Sequence, residues 1–527
     1  MPVKQSPLVR AQDHASSAQL VIAEFTKRRF LVFLVAHVIV WTLFATIALS
    51  SGSVHHDMTE AWSWGKEFQF GYYKHPPFYA WVTALWFHVF PRQDWCFYLL
   101  SAVNAGVGLV GVWMLAGRFL QGPARFVAIL LLALGPFYNF LAINFNANAI
   151  LLAVWPWTAY FFVRSMETRR LAYGVFFGAL AAIAILSKYF SLLLLASCFA
   201  SSLLHPNIRR YYLSWAPYCA VGVCALLIAP HVWWAVGHGL QTVGYASSKL
   251  DFPRDVVLQK LGLAVLNSLA FWCLPMLAML IAFRSQTFGI LRRGCSGLAT
   301  RNHVWIGVLA FGPFVLTLLS GLLFNAKISS NFMIPVFFMA PIAIFAAAGA
   351  TITTARLAVF TRFMAGLMSI SLLVSPIVAY ISFIDQADRV MEPRRELAEE
   401  ATRLWHAAYG TPLPIVAGTS AYGHSISFYS ADAPSHFILN TETPAPSMQL
   451  RHDYSPWITP ARIAREGLLI GCLADDVGCI AAARAISTIK TRHLALTLAR
   501  SFLGRPGRAF AFELFMIPPA RPLRDHP

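Results

Sequence analysis

The chain has 527 residues, 57% of them hydrophobic and only 12% charged, with a mean hydropathy of +0.59, which excludes an ordinary soluble protein and points to a polytopic membrane protein. Lys and Arg outnumber Asp and Glu by 41 to 23, a formal net charge of +18. The basic residues are spread among membrane-proximal connections, and no basic, aromatic RNA- or DNA-binding segment accompanies them, so positive-inside bias explains most of the excess and no nucleic-acid partner is expected.

In chain order, a cytoplasmic N-terminal segment 1–29 leads into an apolar run at 30–50, about the ~20 residues a bilayer demands. No cleavage site follows it, so it is expected to stay as a span. Further apolar runs lie near 95–117, 126–143, 148–163, 171–187, 189–205, 212–234, 258–283, 304–323, 331–350 and 363–384. That makes eleven candidate spans, or about 11–13 if the close pairs 126–163 and 171–205 are miscounted, in an all-α transmembrane domain over 30–384. Lys27, Arg28 and Arg29 precede the first span. Counting alternately from there, Arg118 and Arg125, Arg164, Arg169 and Arg170, Arg209 and Arg210, the cluster Arg284 to Arg301, and Arg356 and Arg362 all fall on that same side, which fixes it as cytoplasmic. The connection 51–94, the neighbourhood of Lys188, the 235–257 connection, the loop around Lys327 and everything beyond about 385 then face outward, the periplasm of a bacterium.

The first outer connection carries the densest chemistry. Asp57 and Glu60 lie three apart, so a helix would project both carboxylates on one face. Trp62, Trp64, Phe68, Phe70, Tyr72 and Tyr73 follow, then Lys74 and His75-Pro76-Pro77. An interfacial aromatic belt accounts for the rings but needs neither the acid pair nor His-Pro-Pro. A carboxylate pair beside cations and aromatic rings, lying against a bilayer, suits a reaction on a lipid with a charged head. Lys188, within Ser187-Lys188-Tyr189, interrupts a long apolar stretch; it either snorkels at the end of a span or meets an anionic partner, and Lys327 has the same two readings. His231 and His238 follow a span and read as hydrogen-bonded packing residues.

Beyond 385 charges and prolines return, and the tail 385–527 reads as a separate soluble α/β domain of roughly 120 residues. Residues 396–405 have helical spacing, and 414–418, 467–471 and 510–517 read as strands. Six cysteines lie in or beside spans as small packing residues. Only Cys472 and Cys479 share the outer domain; their separation and oxidising location permit a disulfide, which we expect, and no CxxC or Cys/His zinc spacing accompanies them. No internal repeat, phosphate-cradling Gly-rich loop, GxSxG elbow or HExxH helix is present, which argues against a nucleotide-driven pump and common hydrolases.

The loop resembles that of the lipid-linked-sugar glycosyltransferases of the GT-C fold, in the branch with protein O-mannosyltransferases and lipid A aminoarabinose transferases, the bacterial glycosyltransferase family 39 type. Asp57, Gly71-Tyr72-Tyr73 and His75-Pro76-Pro77 match in type and spacing. Similar too are Asn144-Phe145-Asn146-Ala147-Asn148 before a Trp-Pro-Trp span, Ser187-Lys188-Tyr189 and Pro230-His231-Val232-Trp233-Trp234. The resemblance covers roughly residues 25–385. Two departures stand out: Lys74 occupies the usual acidic position before His-Pro-Pro, and Met58 follows the loop Asp where many members have Glu. A role of the family's second carboxylate is then lost or moved to Glu60, while Lys74 becomes a candidate for binding a phosphate or an acidic sugar.

The resemblance implies an inner-membrane enzyme that takes a sugar from a polyprenyl-phosphate donor and passes it, with inversion, to a periplasm-facing lipid or glycolipid acceptor, with lipid A, lipopolysaccharide core or another envelope glycolipid as the expected class. Asp57 is then the general base with Glu60 beside it. Lys188, with Lys74 and Lys327, holds the donor phosphate, and Tyr72, Tyr73, His75, Tyr189 and His231 contact substrate. No cofactor is required by this reading, although a divalent metal remains compatible with it. The competing readings are a transporter or flippase of a lipid-linked sugar, which inverted repeats would favour, and a noncatalytic envelope assembly protein.

Overall fold

The computed structural model describes residues 7–385, 391–439 and 454–520. Among these, six helices are long and apolar enough to cross a membrane: Ile22–Ala48, Asp94–Ala116, Ala216–Gly237, Arg254–Phe283, Val304–Leu323 and Thr354–Asp385. Each coincides with one of the eleven expected runs. The first is part of one continuous helix, Pro7–Ala48, so no break marks the expected boundary at residue 29.

The other five expected runs fall on helices that are shorter or interrupted. Leu171–Ser187 and Tyr189–Leu204 are short, Leu151–Thr168 contains Pro156, and 331–350 divides into Ser330–Met333 and Ala340–Ala347. The run at 126–143 is bent by 75° between Gly122–Leu134 and Pro136–Ala142, and counts as a seventh span only if the bent pair is taken as one. Pro136 removes a backbone donor at the bend. Buried Asn139 repairs the break, its Nδ2 donating to the carbonyls of Ala133 at 2.9 Å and Gly135 at 3.0 Å. Hydropathy sees none of this, because side-chain amides that mend a broken helix leave the mean apolarity almost unchanged.

Small residues set the closest helix packing. A Cβ added at Gly174 would lie 2.5 Å from the Ala216 carbonyl oxygen, and one at Gly178 would lie 2.3 Å from that of Ala220. The four-residue spacing lets Leu171–Ser187 and Ala216–Gly237 touch backbone to backbone. Just past the end of the first, Tyr189 meets His231 on the second.

The C-terminal domain is a five-stranded sheet with helices. Its strands are β1 (Ile415–Gly418), β2 (Ser435–Ile438), β3 (Leu468–Leu473), β4 (Arg492–Phe502) and β5 (Arg505–Ile517), in the order β2-β1-β3-β5-β4. β1 runs parallel to β2 and β3, whereas β5 is antiparallel to β3, with Ile470 opposite Phe515, and to β4. The central strands are buried on both faces and so read as unbroken apolar runs. β4 and β5 join through Leu503 and Gly504, both with positive φ, the two-residue turn that matches strand twist. The Arg394–Tyr409 helix buries Leu397, Ala398, Ala401 and Trp405 against the sheet.

Cys472 at the end of β3 and Cys479 on the Val477–Ile486 helix form a disulfide, with Cα atoms 5.6 Å apart. Replacing both by Ser is expected to cost the C-terminal domain roughly 2–4 kcal/mol. Urea denaturation of the full chain, followed by tryptic cleavage within 391–520, checks this: the midpoint for that region should fall while the membrane domain's stays put.

Candidate active site

Asp57 opens the His56–Gly65 helix. His55 caps it, its Nδ1 accepting the Asp57 backbone N–H at 3.3 Å. The carboxylate lies 3.1 Å from His56 Nε2, and its other oxygen accepts from Asn146 Nδ2 at 3.1 Å. That amide has only one orientation available: Asn146 Oδ1 takes the backbone N–H groups of Asn148 at 2.8 Å and Ala149 at 3.1 Å, leaving the NH₂ group for Asp57. Burial alone would push the Asp57 carboxyl up, but the hydrogen bond and charge of His56, with His55 and Lys74 beyond, hold it well below the usual carboxylate range. It is ionised at neutral pH.

The same turn reaches the cation. Lys188 Nζ donates to Asn148 Oδ1 at 2.5 Å and lies 4.0 Å from the centroid of the Phe332 ring. Asn146 and Asn148 thus form a bridge with the carboxylate at one end and the ammonium at the other. Lys188 sits in the break between Leu171–Ser187 and the short turn Tyr189–Ser191, outside both helices. Burial pushes its ammonium down to about 7, opposed by the Asp57 charge.

Both groups line a cavity of about 750 Å³ that also takes Glu60, Lys74, His75, Tyr189 and Lys327. Lys249 and Lys260 bring the lysines lining it to five, against two carboxylates. Glu60 is nearly buried, and Lys74 Nζ donates to its Oε2 at 2.8 Å. Burial works against the Lys74 charge, but the Glu60 carboxylate holds the ammonium above its ordinary range, so the position where a second acid was expected carries one half of an ion pair. Lys74→Met would strand the Glu60 charge in a buried site, at a cost of about 3 kcal/mol. The double variant Lys74→Met/Glu60→Gln is expected to recover most of it, as read from denaturation midpoints.

The remaining expected site residues divide. His75 faces the cavity, and burial, with Lys188 and Lys74 nearby, keeps its imidazole neutral. Tyr189 faces the cavity and its hydroxyl donates to His231 Nε2 at 2.6 Å. His231 does not line the cavity: its Nδ1 donates to the Phe70 carbonyl at 2.7 Å, so the ring anchors the loop to the Ala216–Gly237 helix. A carbonyl only accepts, which assigns the hydrogen to Nδ1 and leaves Nε2 to accept from Tyr189. Next to this anchor a Cβ on Gly71 would run into the Trp234 ring at 2.3 Å. Tyr72 is fully buried, stacks on Trp64 and donates to the Trp64 carbonyl at 2.7 Å, making it a strut of the loop. Tyr73 stacks on Tyr454 of the C-terminal domain, with ring centroids 4.3 Å apart.

That domain grips the loop at many points. Arg92 donates to the carbonyls of Phe428, Ser430 and Ala431, Arg395 pairs with Asp94 at 2.6 Å, Arg500 donates to Ser53 and Lys66 to Ala433. His424 lies 3.6 Å from Glu60 Oε2. Among the described residues, the one group of three His, Cys, Asp or Glu donors close enough to share a cation is His55, His56 and Asp57, with ligand atoms within 4.8 Å of one another. Two imidazoles and a carboxylate form a donor set that suits a divalent transition metal. Asn146, Asn148, Lys249, Lys260 and His424 were not singled out as site residues by the sequence. The first two stood in a motif whose role was not legible, and nothing in sequence marks the others.

Residues 74–234 match the family described as dolichyl-phosphate-mannose-protein mannosyltransferase. The chain aligns with ArnT from Cupriavidus metallidurans in the apo state, with a TM-score of 0.58 at 14% identity, covering 92% of this chain and 98% of that one. The chain has the GT-C fold. The structure of ArnT from the same organism bound to undecaprenyl phosphate aligns with a TM-score of 0.56 at 15% identity, over 92% of this chain and 97% of that one. Comparison with curated protein sequences returns no match. The family match on this GT-C chain begins at Lys74, so it takes in His75, Asn146, Asn148, Lys188, Tyr189 and His231 but stops short of Asp57 and Glu60.

Proposed function

We propose that this GT-C protein transfers a sugar from a polyprenyl-phosphate donor to a hydroxyl of an envelope lipid or glycolipid, lipid A or lipopolysaccharide core being the favoured class, on the periplasmic face of a bacterial inner membrane. The observation that carries the reading is the asparagine bridge, which sets an ionised Asp57 and Lys188 at two ends of one turn in one cation-rich cavity. The acceptor oxygen attacks the anomeric carbon while Asp57 takes its proton. The bond from that carbon to the phosphate oxygen breaks on the opposite face, and the configuration inverts. The departing phosphate gathers negative charge, which Lys188, already fixed by Asn148, meets without reorganisation. Lys74, Lys249, Lys260 and Lys327 add a positive field that favours an anionic lipid head. His75 and Tyr189 line the wall where the sugar lies, and the C-terminal domain holds the loop that carries Asp57.

ArnT binds undecaprenyl phosphate, and the same lipid is the natural probe here. Purified in detergent, the wild type is expected to gain thermal stability with rising undecaprenyl phosphate concentration, by the linkage of ligand binding to the folded state. Lys188→Met should shift little. Equal shifts in both, or none in the wild type, would count against this donor site.

A further inference from the structure

Glu60 is bonded by Lys74 and faced by His424. Lys74 bonds its Oε2 from the loop, and His424 Nε2 stands 3.6 Å from the same oxygen. His424 lies on the Ser420–Tyr429 helix of the C-terminal domain and is 1% exposed. Its Nδ1 is 2.5 Å from Ser63 Oγ, one turn beyond Glu60 on the same loop helix. Its Nε2 has no hydrogen-bond partner among the described residues. Burial, reinforced by His436, Lys74 and His56, keeps this imidazole neutral.

A neutral imidazole carries one N–H, and a carboxylate oxygen only accepts. A lone pair on Nε2 would oppose Glu60. The favourable tautomer therefore puts the hydrogen on Nε2, on the side of Oε2; Ser63 Oγ, which also lies 3.2 Å from the Glu60 backbone carbonyl, then gives its one hydrogen to the closer Nδ1. The helix that presents the ring is itself fixed. Arg92 of the membrane domain takes three carbonyls at its C-terminal end, of Phe428, Ser430 and Ala431. Tyr429 Oη accepts the Val54 backbone N–H at 2.9 Å. Gly423 packs so closely that a Cβ would meet the His436 ring at 2.1 Å.

We propose that His424 is a positioning residue of the donor site: it orients Glu60, through Glu60 it sets Lys74 in the cavity, and the C-terminal domain thereby completes a site otherwise built by the membrane domain. The proposal rests on the donor reading above, and it gives the C-terminal domain a part in that site. A residue that merely stabilised the domain would not act through Glu60.

The test compares His424→Ala and His424→Gln, alone and in a Glu60→Gln background, in the full chain. His424→Ala is expected to raise the donor KM about tenfold with a smaller change in kcat. His424→Gln, whose amide N–H can reach the same oxygen, should recover most of that loss. In the Glu60→Gln background His424→Ala should add nothing. A wild-type donor KM in His424→Ala, or losses that multiply with those of Glu60→Gln, would overturn the proposal. A readout independent of transfer is amine acylation of Lys74 followed by mass spectrometry. His424→Ala should label several-fold faster than wild type, and His424→Gln near the wild-type rate; equal labelling of all three overturns the proposal. If the wild type transfers no sugar and binds no undecaprenyl phosphate while the labelling difference holds, the functional reading fails and the His424 linkage stands.

Discussion

Asp57→Asn is expected to slow sugar transfer by about 10²–10⁴-fold, the range typical of a lost general base. The substitution preserves shape and the contact with Asn146 can be remade through the new amide oxygen, so folding and donor binding should be nearly unchanged. The loss belongs in kcat, because the carboxylate acts when the acceptor proton leaves. Steady-state kinetics with a purified polyprenyl-phosphate sugar, beside undecaprenyl phosphate binding to the same preparation, separates the two. A tenfold rise in donor KM with kcat intact would instead make Asp57 a binding group.

Lys188→Met should reduce kcat by about 10²–10³-fold, the scale measured for removing one preorganised group from a developing oxyanion, and should weaken donor binding as well. Its titration supplies a second signature. With the free-enzyme ammonium at about 7, Lys188 is charged below that pH and neutral above it. The anionic donor binds the charged form. The kcat/KM for donor should therefore be flat below pH 7 and fall about tenfold per unit above it, while kcat, which reports the donor-bound enzyme, should hold to higher pH because the phosphate restores the charge. Lys188→Arg keeps its charge throughout this range, so the fall above pH 7 should disappear even if the overall rate drops. A fall unchanged in Lys188→Arg would assign the titration to another group.

Much of this site was legible because its parts lie close in sequence or break a strong pattern. Asp57 and Glu60, three apart, fall on a helix and face the same cavity, and Lys188 stood out against apolar neighbours. The asparagines were visible as a motif without a role, since an amide bonds in either orientation and only the backbone donors of Asn148 and Ala149 decide which end meets Asp57. His424 was invisible: its partners Ser63 and Glu60 are more than 350 residues away, and no local pattern records a contact between domains. Tyr72 illustrates the opposite case, a motif residue whose hydroxyl is committed to the Trp64 carbonyl inside the loop.

The fold divides in the same way. The long apolar helices follow from composition, the strands at 415–418 and 468–473 from burial on both faces, and only the buried C-terminal half of 505–517 from its apolar run. β2 is only four residues long, and β4 is mostly exposed, so neither carries the apolar run that betrays a strand. The bend at 135–136 needed Asn139 in place to be understood, because hydropathy averages over the break that the amide repairs.

The most direct test of sugar transfer is mass spectrometry of the envelope glycolipids from cells lacking the gene, complemented with wild type or with Asp57→Asn at matched membrane levels. One glycolipid should lose a single sugar mass in the deletion and regain it only with the wild type, which would also name donor and acceptor. Equal restoration by Asp57→Asn, or a deletion that leaves every glycolipid unchanged, would contradict the account.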